Sequence, residues 1–532
     1  MIGTTKLTSE LMQQLDAAER ESKASNTVNR IHVSELTSVP SFLYEKIRNI
    51  VDYKDEYLLR KNALRRFLKR TIVLPKFSHS PEAAATALVR ELILSRYLPN
   101  DTVSEKIVPA LAQIIAKYFS LFDKLGDSKC DVPKWKELLL GIAAVECDSY
   151  LVSPLERNAY ISYGYKLLKP ALELPDALES DEAKSVQFVL TIQRVLERAD
   201  REISMYYLLR HYYADWFTLP PTEAADMLAP QVPAILSTFT NILEHRLGKK
   251  LLTPIKKLLV PLLVYRDLLH NYQGSKRELL ANSNKLEELS RETYRTYWRS
   301  TRRRVRRKGF HAIVYIFITK MLLALLLELP YERIFLQDIH YLPLAINLLF
   351  PLLLMTIITI LIKSPGMANE VSVVKGIKEM IYGGEASFYK LRKLRTIPPT
   401  FWKRFFYGLL YLITFGTSFG ILVSVLYKLE FNLLSGALFI LFVSLVSFFG
   451  ISLRQQARQL KVVDGRETIT VFLIDFFTLP VVAFGKWLSN TFDKVNFFVF
   501  FLDFLFEVPF KSLLKMIEDW FNFLKEKKDE MY

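Results

Sequence analysis

The chain has 532 residues, room for roughly three domain-sized units, but 51% of them are apolar and the mean hydropathy is +0.15, which is high for a purely soluble protein. A net charge of +16, from 71 basic and 55 acidic residues, fits nucleic acid, anionic lipid or the lysine and arginine excess of cytoplasmic membrane flanks. Because the densest basic cluster abuts an apolar segment, anionic membrane lipid is the expected partner and no nucleic acid is expected. Two cysteines, Cys130 and Cys147, at a spacing that suggests no zinc site, argue against a disulfide framework and fit a reducing compartment.

Residues 1–37 read as a flexible lead-in, rich in Ser, Thr, Asn and charge, with room for one weak helix. This stretch has no apolar signal core. It also carries Glu10, Asp16, Glu19 and Glu21, which organelle transit peptides avoid.

Residues 38–308 read as a cytosolic all-α domain ending in a basic juxtamembrane helix. Ser80, Pro81 and Glu82 are three consecutive start signals for a helix over 81–97. Ser153 with Glu156 and Ser275 with Glu278 fit capping boxes, and Thr253-Pro254 reads as a further start. Leu74-Pro75, Asn100-Asp101, Gly126-Asp127, Leu219-Pro220-Pro221 and Gly248 punctuate the rest, with no repeat signature between them. With no Gly or Pro between Ser275 and Lys308, the last segment is either a stalk running into the first membrane helix or a polar helix on its own domain.

Arg299, Arg302, Arg303, Arg304, Arg306, Arg307 and Lys308 stand directly before an apolar run of about 20 residues, the length of a bilayer core. This junction opens a transmembrane domain over 309–466, with spans at about 310–329, 341–362, 405–427 and 431–453. Glu332 and Asp338 mark an outside loop. The basic residues of 363–404 and Arg454, Arg458, Lys461 and Arg466 mark inside ones, so both termini are expected in the cytoplasm of a multi-pass protein of the cytoplasmic (inner) membrane.

Residues 467–532 read as an amphipathic or re-entrant membrane-associated region, because Asp475 and Lys486 are unwelcome in lipid and Pro480 breaks the apolar run 470–489. The polar residues from Asn496 onward fall on one helical face, as in a helix lying in the interface. The rival reading makes 470–489 and 496–514 two further spans. The fold class is therefore an all-α membrane protein: a cytosolic helical domain, a bundle of about four spans and C-terminal interfacial helices.

No motif for chemistry emerges. Gly416-Thr417-Ser418-Phe419-Gly420 matches a hydrolase elbow, but that motif needs a strand-to-helix turn and here lies within a span. Gly416 and Gly420 read better as a small-residue face for helix packing, with Ser435, Gly436 and Gly450 as compatible partners. The seven histidines are scattered, no nucleotide loop is present, and no metal or cofactor is expected. Glu146, Asp148 and Asp215 are candidates for a carboxylate site or for salt-bridged faces. Lys320 falls near mid-span, too deep for its stem to reach water, and so faces a protein interior. Asp475, the acidic residue set deepest in an apolar run, is its expected partner.

The expectation is a non-enzymatic membrane-anchored scaffold or envelope-assembly component that binds anionic lipid and protein partners, with a homo-oligomer open. The alternatives are a channel or transporter subunit with Lys320, Asn347 and Asp475 along a polar path, and then a membrane-embedded enzyme.

Overall fold

The structure, a computed structural model, describes residues 4–24, 30–33, 56–73, 80–126, 134–173, 180–336, 341–362, 366–384, 388–393, 401–463 and 469–494. These are helical apart from short turns and two strand segments of two residues each. They divide into two compact units, one from Thr5 to Ile255 and one that takes in the described residues from Lys256 to Lys494.

The first unit contains α1 (Lys6–Ala24), α2 (Glu56–Leu68), α3 (Pro81–Leu94), α4 (Ile107–Lys124), α5 (Lys134–Leu151), α6 (Leu155–Leu168), α7 (Asp181–Leu196), α8 (Arg201–Tyr212), α9 (Pro221–Leu228) and α10 (Val232–Glu244). Its core is a continuous apolar cluster drawn mainly from α3, α4, α5, α8, α9 and α10. The start of α3 follows its sequence signals: the Ala83 amide donates to Ser80 Oγ at 3.2 Å, with Pro81 in the first turn. In the lead-in, by contrast, α1 is a docked helix. Leu11, Met12 and Leu15 are buried, Thr8 Oγ1 lies 3.1 Å from Tyr163 Oη, and α1 packs along α6.

Two expected helix starts differ. α6 begins after Pro154, which takes the cap position without a side-chain bond, so Ser153 caps nothing. α11 (Arg246–Asn271), within which the unit division falls, runs straight through Thr253-Pro254. An interior proline costs about 3 kcal/mol, but Leu251, Ile255, Leu258 and Leu259 around it are fully buried. At about 1.5–3 kcal/mol each, their burial outweighs the break.

The second unit continues with α12 (Lys276–Ala281), α13 (Ser283–Leu323), α14 (Tyr341–Ile360), α15 (Met367–Tyr382), α16 (Phe401–Lys428), α17 (Leu433–Ala457) and α18 (Ile469–Lys494). Four helices, Ser283–Ile334, Tyr341–Ile360, Phe401–Lys428 and Leu433–Ala457, are long and apolar enough to cross a membrane. α13 packs on α14 and α17, α14 on α17, and α16 on α18. α18 lies closest to α17: a Cβ at Gly485 would stand 2.0 Å from the Ser444 carbonyl oxygen, so only glycine permits this approach.

Pro480 does not break α18. Pro480 removes the ladder bond to the Phe476 carbonyl, and the next carbonyl along, that of Phe477, accepts from Ser418 Oγ of α16 at 2.9 Å, tying α18 to its neighbour beside the proline. The amphipathic stretch expected from Asn496 onward lies outside the described residues.

Candidate functional site

The basic junction sits on α13, whose 41 residues run unbroken from the polar segment through the arginines into the apolar run. At about 1.5 Å per residue this is a rod of about 60 Å. Asn282 caps its start, accepting from the Lys285 amide at 3.1 Å. α15 then braces the polar half: Arg295 pairs with Glu370 at 2.9 Å, Lys378 with Glu287 at 2.9 Å, and Asn369 Nδ2 donates to Tyr294 Oη at 2.7 Å. Hydrogen bonds from Arg291 and Lys378 hold the Glu287 carboxyl below the usual range.

Of the seven junction residues, Arg299, Arg303, Arg304, Arg306 and Arg307 are exposed, while Arg302 lies over the Trp298 ring and Lys308 donates to Gln456 Oε1 at 3.2 Å. Burial keeps the Asp267 carboxyl above the usual range despite the opposing charges of Arg266, His270 and Arg304.

The second site lies in the apolar half of the same helix. Lys320 is fully buried, and its ammonium is 3.1 Å from Glu328 Oε1 and 4.7 Å from the centroid of the Phe442 ring. Eight α-helical steps would turn Glu328 about 80° away from Lys320. Ala324–Glu328 is instead wound as π-helix, whose smaller turn per residue brings the two back towards one face. Asn347 of α14 donates to Glu328 Oε1 at 2.6 Å and to the Ser435 carbonyl of α17 at 3.3 Å. One turn beyond, buried Glu332 accepts from Asn432 Nδ2 at 2.7 Å. Glu328 Oε2, Asn347 Oδ1 and Ser435 Oγ are buried with no hydrogen-bond partner.

The carboxylate beside Lys320 is thus Glu328; the Asp475 side chain lies outside the described residues. Sequence reasoning passed over Glu328 because a spacing of eight residues is not an α-helical neighbour.

Among the described residues nothing lies within 4 Å of a Cβ built at Gly416 or Gly420. Glycines of the apolar helices that do admit close neighbours include Gly309 against Thr359, Gly450 against Ile358, and Gly485. Ser418 sits mid-helix on α16, in none of the geometry of a nucleophile elbow.

Of the carboxylate candidates, Asp215 is exposed, and Asp148 accepts from Arg60 Nη2 at 3.2 Å. Glu146 is the centre of a buried network in the first unit. Lys117 Nζ donates to it at 2.6 Å, Tyr118 Oη at 2.9 Å and Trp216 Nε1 at 3.1 Å. Burial, and then Glu146, push the Tyr118 phenol well above its ordinary value, and burial likewise raises the Cys147 thiol. Among the described residues no three His, Cys, Asp or Glu converge as metal ligands.

No family model, no curated protein and no solved structure matches this chain.

Proposed function

We propose that the protein is a multi-pass, non-enzymatic membrane scaffold of the cytoplasmic membrane, with both termini inside, which binds anionic lipid at its basic junction and presents its helical domain to protein partners. The observation that carries this reading is α13, a single helix that bears five exposed arginines immediately before its apolar half. A rigid rod holds those charges within about 12 Å of one another along its axis, next to the apolar half, where each is worth up to about 1 kcal/mol against an anionic leaflet.

The test is lipid-dependent stability. Full-length protein in neutral detergent should gain thermal stability on addition of phosphatidylglycerol but not phosphatidylcholine, and salt should weaken the gain. Changing Arg299, Arg303, Arg304, Arg306 and Arg307 to Gln should abolish it. A gain that survives these changes would place lipid binding elsewhere.

A second reading, a channel or transporter subunit, is favoured by the buried polar cluster at Lys320, since ionisable groups at that depth commonly line ion or proton paths. Flux across liposomes holding the purified protein separates the two, because a scaffold conducts nothing.

A further inference from the structure

The cluster around Glu328 is unfinished in one specific respect. Its unpartnered atoms, Glu328 Oε2, Asn347 Oδ1 and Ser435 Oγ, come from three helices, and the residues already touch: Asn347 bonds both the Glu328 carboxylate and the Ser435 backbone. The Asn347 amide nitrogen faces two acceptors, so its orientation is determined and its oxygen is left over. Two of the three orphans, the carboxylate oxygen and the amide oxygen, can only accept, and the third is a hydroxyl that can donate to just one of them. The set is short of a donor. Buried polar atoms are satisfied in the great majority of native proteins, and a cluster of exceptions calls for a specific cause.

We infer that Glu328 is an intramembrane proton-binding site, its carboxyl taking a proton on Oε2 within the Lys320, Asn347 and Ser435 cluster. The step is the addition of one proton from water to one carboxylate, with an O–H bond formed, no electron moved and no bond broken. The new O–H supplies the missing donor to a set that includes the Asn347 amide oxygen and the Ser435 hydroxyl. The step also neutralises the counter-ion of Lys320, whose ammonium keeps the Phe442 ring as its remaining contact. The ion pair spans the π-wound segment Ala324–Glu328, so protonation releases the clamp across that wide turn. Among the described residues, the charged or titratable groups acting on Glu328 are Lys320 and Glu332, both on its own helical segment; α14 contributes the neutral Asn347. This inference is independent of lipid binding at the basic junction and stands or falls on Glu328 alone.

The experiment is infrared difference spectroscopy on full-length protein in phosphatidylcholine nanodiscs, stepping pH and repeating in heavy water. A protonated-carboxyl band should appear as pH falls, be lost in Glu328→Gln, move in frequency in Glu328→Asp, and persist in Glu332→Gln. Ser435→Ala should weaken proton binding about tenfold, the weight of roughly one hydrogen bond, whereas Asn347→Leu, which also removes the Nδ2 bond that favours the ionised carboxylate, should not weaken it. Persistence of the band in folded Glu328→Gln would overturn the assignment. So would its absence across the pH range of the folded wild type, or a site that responds to sodium at constant pH and not to protons. If Glu328→Gln fails to fold, the frequency shift in Glu328→Asp decides, and an unshifted band rejects Glu328.

Discussion

The two units each bury a lysine–glutamate pair, Lys117–Glu146 in the first and Lys320–Glu328 in the second, and they complete it differently. Around Glu146 both carboxylate oxygens are occupied, by Lys117, Tyr118 and Trp216, and Lys117 also donates to the Trp216 carbonyl at 3.2 Å. Around Glu328 one oxygen holds Lys320 and Asn347 while the other holds nothing. A satisfied buried pair is a structural element, since every change to it costs energy. An unsatisfied one leaves room for the protonated state proposed above. The same residue types thus form a closed network in one unit and an open one in the other.

The largest expected effect tests the first half of this comparison. Lys117→Met strands the Glu146 charge and should cost about 3–5 kcal/mol. It can be followed as earlier exposure of the buried Cys147 thiol to a thiol reagent during denaturation. Lys320→Met should cost less, no more than about 1–2 kcal/mol, because Glu328 can take a proton in place of its partner. Equal costs in thermal melts would erase the distinction. The double variant Lys320→Met with Glu328→Gln should recover part of the loss, and strict additivity would mean that the two residues do not interact.

A smaller contrast sharpens the same point. Tyr118→Phe removes a made hydrogen bond to Glu146 and should cost about 1–3 kcal/mol, whereas Ser435→Ala removes a hydroxyl without a partner and should stay within about 0.5 kcal/mol at neutral pH. Ser418→Ala, which loses the bond to the Phe477 carbonyl, should fall between them at about 1 kcal/mol.

The smallest effect is one of pH. The Tyr118 phenol is raised above its ordinary value of about 10, so the stabilisation linked to its proton is complete below that value and is lost as pH rises through the folded value. Wild type should therefore lose stability more steeply than Tyr118→Phe above about pH 10, with parallel profiles at neutral pH. A steeper variant would reverse the sign.

Much of the architecture was legible from local pattern. Ser80 and Pro81 marked a helix start, and four apolar runs at bilayer length appear as four long apolar helices, because capping and hydrophobic run length are properties of neighbouring residues. The continuity of α13 across the arginines is one of the two readings that the absence of Gly and Pro before Lys308 left open. Burial overrode the local signal at Pro254 and in α1.

What the chain determined by itself was therefore its helical class and the location of its apolar helices, with Lys320 near the middle of one of them, all set by spacing along one helix or by composition. Only the tertiary structure decided that Lys320 meets Glu328, because that contact depends on a π-wound turn and on Asn347 from another helix. It likewise decided that the tightest helix approach uses Gly485 against Ser444 rather than Gly416 and Gly420. A glycine permits close approach wherever it occurs, and which glycine meets a partner is set by the rotation of each helix in the bundle, to which residues far apart in sequence contribute together.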